Sequence, residues 1–283
     1  LAASGVSGNA TAGALSHGGG IEGLDITMAA STASGNATAG PQAYGGALYG
    51  YGAVSLTAST LDDNATTSDL AKGGGLFANG PVTLAESTVR DNATAGGLAY
   101  GGGIYGYGPV ALTRSTLSGN ATAGLYAAGG GLFGASDVTL TGSTVSGNTT
   151  AEEGAAGGGV FAFGTVALAN STVTGNATEG RYADGGGVYA FGFGGAGLAL
   201  ANSIVLGNGA PASDGDELFL RSDEGGALVL AGANIVGRDA AGFDTSGLAG
   251  VANADPALVF AGGAPVLADN GGPVETVLLR ARR

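Results

Sequence analysis

The chain of 283 residues has no cysteine and no tryptophan, and it has one histidine and one methionine. The lack of cysteine excludes a disulfide framework and thiol chemistry. No apolar run reaches the roughly eighteen residues that a membrane-spanning helix needs, so no membrane span is predicted. The N-terminus lacks a charged region followed by an apolar stretch, so no signal peptide is predicted and the chain is expected to be a mature form or a fragment.

Charge is also scarce. Charged residues make up 11% of the chain, and 22 acidic residues against 9 basic ones give a net charge of −13. A negative field repels nucleic acid and anionic lipid, so neither is expected as a partner. Glycine, by contrast, is abundant at 60 residues. The glycines do not follow a Gly-X-Y period, which excludes collagen, and the hydrophobic content of 44% argues against a disordered chain.

A repeat of about 28 residues fills most of the chain. The tripeptide Asn-x-Thr recurs first after 27 residues and then five times at steps of 28, and a glycine run recurs with the same steps. Such self-similarity at a fixed period indicates a solenoid. The seven tripeptides begin at Asn9, Asn36, Asn64, Asn92, Asn120, Asn148 and Asn176.

Each copy has aliphatic residues at the same four positions, which in one copy are Ile104, Val110, Leu112 and Leu117. The alternation of Val110 and Leu112 around a small residue is typical of a strand. We therefore predict an all-β fold, a right-handed parallel β-helix with about 28 residues per coil, about three short strands in each coil and aliphatic columns inside. The regular repeats are predicted over 1–209, interrupted by an insertion at 193–196. Irregular C-terminal coils and a segment that caps or flanks the end are predicted over 210–283.

The asparagines of the repeat have two interpretations. They could be glycan acceptors, because Asn-x-Thr is the acceptor sequence. The strict period favours the other interpretation, in which each amide points inward and bonds to the amides above and below it as a structural ladder. The predicted ladder comprises Asn36, Asn64, Asn92, Asn120, Asn148 and Asn176.

An aromatic residue follows the first aliphatic position in six successive coils, and the first coil holds Glu22 there. Strand alternation points these rings outward, so we expect an exposed stripe that contacts another subunit or a sugar chain. A partial second column on the same face is expected from Tyr51, Tyr107, Phe163 and Phe191. The predicted interaction surface comprises Tyr49, Phe77, Tyr105, Phe133, Phe161 and Tyr189.

No catalytic, cofactor or metal site is predicted. Asp62, Asp63 and Asp91 near Arg90 are interpreted as surface charges, and His17 as a turn residue. The outward threonine column at 32, 60, 88, 116, 144 and 172 is interpreted as a solvated face rather than an ice-binding one. The acidic loop with Asp214, Asp216, Glu217, Asp223 and Glu224 could hold calcium, but its spacing favours a solvated loop.

Several segments resemble known bacterial surface proteins. Gly101 to Tyr105 and Leu117 to Asn120 resemble the repeats of polymorphic outer-membrane proteins, whose passenger domains are right-handed β-helices. The series ANSIVLGN (201–208), LAGANIVGRD (230–239), NADPAL (253–258) and LADNGGPVETVLL (267–279) resembles the choice-of-anchor Q group of secreted β-helix proteins. The resemblance implies a secreted or surface location and no single activity.

These observations predict a non-catalytic, extracellular or cell-surface protein with a structural or adhesive role. The alternative is a carbohydrate-active enzyme or a carbohydrate-binding module on the same scaffold. The expected partners are the chain itself, end to end or laterally, or surface glycans and proteins. End-to-end filaments are suggested because Leu1 enters a coil midway, at the strand that holds Leu168 in a later copy. An open edge of this kind recruits other strands, and the region of Asp269 to Gly272 and 278–279 is the expected contact.

Overall fold

The computed structural model describes residues 1–192, 197–210, 217–222, 226–237, 240–241, 251–253, 259–260, 265–270, 273–277 and 279. The insertion predicted at 193–196 and most of the acidic loop lie outside the described residues. The described chain winds as a parallel solenoid whose strands form four long sheets. A regular coil contributes one strand to each sheet, so the prediction of about three strands per coil is wrong and the number is four.

We number the sheets 1 to 4 in the order in which a coil passes through them. The described strands of sheet 1 are Ile21–Gly23, Leu48–Gly50, Leu76–Ala78, Ile104–Gly106, Leu132–Gly134, Val160–Ala162, Val188–Gly192, Leu218–Ser222 and Ala240–Ala241. Those of sheet 2 are Ile26–Ala29, Val54–Thr57, Val82–Ala85, Val110–Thr113, Val138–Thr141, Val166–Ala169, Leu198–Ala201 and Leu228–Ala231.

The described strands of sheet 3 are Gly5–Ser7, Thr32–Ser34, Thr60–Asp62, Thr88–Arg90, Thr116–Ser118, Thr144–Ser146, Thr172–Thr174, Ile204–Val205, Asn234–Val236 and Val251–Asn253. Those of sheet 4 are Ala10–Ala12, Ala37–Ala39, Ala65–Thr67, Ala93–Ala95, Ala121–Ala123, Thr149–Ala151 and Ala177–Thr178. An antiparallel pair, Leu267–Ala268 and Thr276–Val277, follows the solenoid.

The repeat sets the register between coils. Val82 pairs with Val110 and Leu84 with Leu112, so residues one period apart lie directly above one another. Strand alternation sends these aliphatic residues inward, and the columns predicted from the sequence form one continuous buried core. Burial of this kind supplies the main driving force for folding, at roughly 25 cal/mol per Å² of apolar surface.

The glycine run lets the coils approach one another closely. Gly101 has a φ of 68°, in the left-handed region that favours glycine. A Cβ on Gly102 would lie 2.3 Å from the carbonyl oxygens of Ala121 and Gly130. A Cβ on Gly103 would lie 2.9 Å from the amide carbon of Asn120. Each glycine of the run therefore has its own steric reason to lack a side chain.

The C-terminal segment lies against the outer face of sheet 3. Thr116 donates a hydrogen bond from its hydroxyl to the carbonyl oxygen of Glu275 at 2.7 Å. The groove beside this contact is lined by residues 265–267 and by Ser146 and Thr174 of the solenoid. The segment therefore covers the side of the coils. The sequence predicted instead that it caps or flanks the C-terminal end of the solenoid. Thr116 and Thr144 are buried, so the prediction of a solvated threonine face is wrong for these coils.

We predict that Gly102→Ala destabilises the protein strongly, because its methyl group would collide with two backbone carbonyls that the ladders hold in place. Overpacking of this kind costs about 3 kcal/mol. Gly97→Ala is the control, since its Cβ would meet only a flexible side chain, Asp69, at 3.4 Å. Urea denaturation of both variants measures the effect, and equal unfolding midpoints would contradict the prediction.

Candidate functional site

The predicted asparagine ladder is present, and its amides are buried. Asn120 shows the pattern. Its Nδ2 donates to Oδ1 of Asn148 at 2.9 Å and to the carbonyl of Val89 at 3.0 Å. Its Oδ1 accepts from the backbone N–H of Asn92 at 3.1 Å and from that residue's Nδ2 at 2.9 Å. Each amide is therefore hydrogen-bonded to the coil before it and to the coil after it. Its burial favours the structural ladder over a glycan acceptor.

A carboxylate ends the ladder. Asn208 donates from Nδ2 to Oε2 of Glu217 at 2.7 Å, and Gly207 N–H donates to Oε1 at 2.8 Å. Each ladder amide donates one side-chain N–H towards this end and another to a carbonyl of the preceding coil, so a carboxylate acceptor fits the terminal position. Glu217 is 5% exposed. The interpretation of Glu217 as part of a solvated loop is therefore wrong, and Asp214, Asp216, Asp223 and Glu224 lie outside the described residues.

A second ladder, of serines, was not predicted. Ser115 donates its backbone N–H to Oγ of Ser143 at 3.1 Å, and its own hydroxyl donates to the carbonyl of Thr113 at 2.9 Å. The recurring Ser-Thr pair was the sequence signal for it. The serines that share the pattern are Ser31, Ser59, Ser87, Ser115, Ser143 and Ser171.

The aromatic residues of sheet 1 form a stacked column outside the core. Tyr105 and Phe133 have ring centroids 4.9 Å apart and planes within 7° of parallel. The rings form a cluster separate from the aliphatic core, so the predicted outward direction is confirmed. The expected exposure is wrong, because rings stacked face to face cover one another. The six predicted residues, Tyr49, Phe77, Tyr105, Phe133, Phe161 and Tyr189, are only 2–8% exposed.

Two further sets of side chains flank this aromatic column. On one flank Tyr51, Tyr107 and Phe163 meet it edge to face and are 41–49% exposed. On the other flank lies the residue just before each glycine run, which we call the corner residue. The corner residues pair from coil to coil and are His17, Tyr44, Lys72, Tyr100, Ala128, Ala156 and Asp184.

Lys72 lies among three tyrosine rings. Its Nζ is 4.9–5.2 Å from the ring centroids of Tyr44, Tyr105 and Tyr107, and it donates a hydrogen bond to the Tyr107 hydroxyl at 2.9 Å. That hydrogen bond lowers the pKa of Tyr107, whereas burial raises the pKa of Tyr105. The cluster is an ammonium group held by π faces and a phenol, and sequence analysis did not identify it.

The remaining candidates are dispersed. Arg90 and Asp62 form a bidentate pair at 3.0 Å, as the surface-charge interpretation predicted, and Asp91 has a raised pKa mainly because of burial. His17 stacks on Tyr49 at 4.1 Å. Within the described ranges, no three carboxylate or imidazole side chains are placed to hold a metal ion. The described residues include no helix long and apolar enough to cross a bilayer.

Comparison with known proteins agrees with this architecture. A family model described as a right-handed beta helix region matches residues 22–208. The chain belongs to the right-handed β-helix family. No curated protein and no solved structure matched the chain. Membership of the β-helix family establishes the fold.

We predict that Asn120→Ala destabilises this β-helix by about 1–3 kcal/mol, because it leaves buried ladder groups unpaired. Thr122→Val is the matched control from the same tripeptide. The Thr122 hydroxyl is buried with no partner in the described structure, so its loss should leave stability unchanged or slightly higher. Thermal unfolding of the two variants compares them. Similar losses of stability in both would contradict the ladder.

We also predict that Tyr107 ionises at a lower pH than Tyr51. The two phenols occupy equivalent positions two coils apart. Tyr51 donates its hydroxyl to Glu22 at 2.7 Å, which raises its pKa, whereas Lys72 lowers the pKa of Tyr107. NMR of ring-labelled tyrosine, assigned with Tyr→Phe variants, measures both. Lys72→Met should raise the pKa of Tyr107 and leave that of Tyr51 in place; the same pKa for Tyr107 with and without Lys72 would refute this explanation.

Proposed function

We propose that the protein is a non-catalytic structural rod of the cell surface or extracellular space that associates laterally with copies of itself. One observation carries the proposal: the outer face of sheet 2 has no charged residue in a chain of net charge −13. The outward positions of its first seven strands hold only alanine, serine and threonine.

This face is suited to contact between identical rods. Its outward residues include Thr83, Ala111 and Thr139, which are partly or fully exposed. Seven strands at the usual spacing give it a length of about 29 Å. Short side chains in regular rows make a flat surface on which two sheets can pack closely. Like charges elsewhere on the rod repel, so the uncharged face is where two copies approach at least cost.

The ladders support a structural role. They hold the regular coils to their neighbours by side-chain as well as backbone hydrogen bonds, which suits a stiff rod. The resemblance of 253–279 to secreted β-helix proteins supports the surface location. End-to-end contact is the other predicted mode of association. Asp269 of its predicted contact region lines a groove with Thr60 and Thr88 on the side of the solenoid. That placement favours lateral association.

We predict that Thr83→Asp with Thr139→Asp abolishes self-association, because two charges would then be buried between the rods. Gln42→Asp with Leu125→Asp is the control, since it adds equal charge at exposed turns. Sedimentation velocity over a range of protein concentrations measures association, which should strengthen with salt in the wild type as repulsion is screened. A wild type that stays monomeric throughout, or sheet 2 variants that associate normally, would refute the proposal.

A carbohydrate-active enzyme is the second candidate, and the Lys72–Tyr107 contact favours it. A phenol with a lowered pKa beside an ammonium group is a recognised acid–base arrangement. The non-catalytic proposal expects no release of reducing ends from neutral or acidic polysaccharides. Release by the wild type that is lost in Tyr107→Phe would establish the enzyme instead.

A further inference from the structure

The aromatic column is covered at the corner in four successive coils. In each of them the corner residue lies against the column ring of the next coil. The contacts are His17 on Tyr49 at 4.1 Å, Tyr44 on Phe77 at 5.0 Å, Lys72 over Tyr105 at 4.9 Å and Tyr100 on Phe133 at 4.8 Å. Three of the four covering groups are aromatic rings, so this place in the coil accepts a flat ring repeatedly.

The next two corners lack such a side chain. They are Ala128 and Ala156, so Phe161 and Tyr189 have no large corner residue from the coil before them. These two rings are the most exposed of the column, at 8% and 6%. The other four are 2–5% exposed. The repeat thus leaves open, beside Phe161, a space that it fills with its own side chain in earlier coils.

That space is a pocket of about 310 Å³. Tyr100, Tyr126, Phe161 and Phe163 line it together with the small Ala128 and Ala156, and none of the described lining residues is charged. The volume lies at the lower end of the range for small-molecule sites. Tyr100 and Tyr126 contribute phenol groups to the lining.

Gly154 lies in one wall of the pocket, and its lack of a side chain lets the Tyr126 ring lie across it. A Cβ on Gly154 would come within 2.5 Å of the Tyr126 ring. The equivalent turn position in other coils holds a larger residue, such as Leu98 or Tyr182, in the same left-handed conformation. Gly154 therefore gives Tyr126 room beside the corner residues Ala128 and Ala156. These three small residues lie together in the lining of the pocket.

We propose that this pocket binds one planar phenol-type ring, stacked against Phe161 in the space that a tyrosine corner residue would occupy. The inference is independent of lateral self-association. An aromatic ring gains stacking and edge-to-face contacts with the walls. A sugar ring would bring several hydroxyl groups to a wall with few polar partners, and unpaired hydroxyls are costly when buried. Among the residues that the structure describes in the lining, none offers a positive group to an anion.

The test is binding of 4-methylphenol, measured by calorimetry and ligand-observed NMR. We expect one equivalent to bind the wild type, at least about tenfold more tightly than 4-methylcyclohexanol, which has a similar shape and no π system. Ala128→Tyr should weaken binding about tenfold or more, because the ring of the new tyrosine would occupy the pocket in place of the ligand. Gln42→Tyr is the control, since it adds the same side chain at a turn position that carries tyrosine in two other coils.

Gly154→Ala is a second variant, and it should weaken binding by displacing Tyr126 without filling the pocket. N-acetyltyrosinamide distinguishes the source of the ring: binding equal to 4-methylphenol indicates a tyrosine of a polypeptide, and weaker binding indicates a free phenol. No binding of 4-methylphenol, equal binding by Ala128→Tyr, or tighter binding of tetramethylammonium or methyl glucoside would overturn the proposal.

Discussion

The hydrogen-bonded register between successive coils is the constraint on which the rest of this structure depends. In a parallel solenoid the backbone groups of one coil are satisfied by the coils above and below it. The repeat of about 28 residues therefore places equivalent positions of successive copies over one another. Aliphatic columns, amide and hydroxyl ladders and stacked rings all follow from that one alignment. The columns also continue across a step of 32 residues, where Asn176 donates to Asn208 and Leu168 pairs with Leu200.

The glycine run and the asparagine ladder depend on each other. Gly103 lies so close to the Asn120 amide that a methyl group would displace it, and Gly102 lies against two carbonyls. The ladder also fixes the position of the coil against the glycine run, because each Asn donates to a carbonyl of the preceding coil. The glycine run, although locally flexible, therefore forms a rigid contact between coils.

The coils differ from one another at the few positions where a residue departs from the repeat. Most coils repeat their neighbours, so an exception at one position changes the environment of a ring or an amide that is otherwise constant. Lys72 replaces an aromatic corner and lowers the pKa of Tyr107. Ala128 opens a pocket beside Phe161. Glu217 replaces an amide and ends a ladder. A repeat protein can acquire a site in this way by substituting a few residues without altering its scaffold.

The period by itself determined the parallel β-helix, the inward aliphatic columns and the asparagine ladder, because residues repeated at a constant step must stack when coils pair in register. The serine ladder follows the same rule, but the direction of its small hydroxyl, which donates to a carbonyl two residues earlier, emerged only from the structure. Tertiary structure alone decided the burial of the aromatic column, since its rings stack face to face and cover one another. It also decided the position of Thr116 beneath Glu275, a contact across 159 residues, because no periodicity links the C-terminal segment to the side of the solenoid.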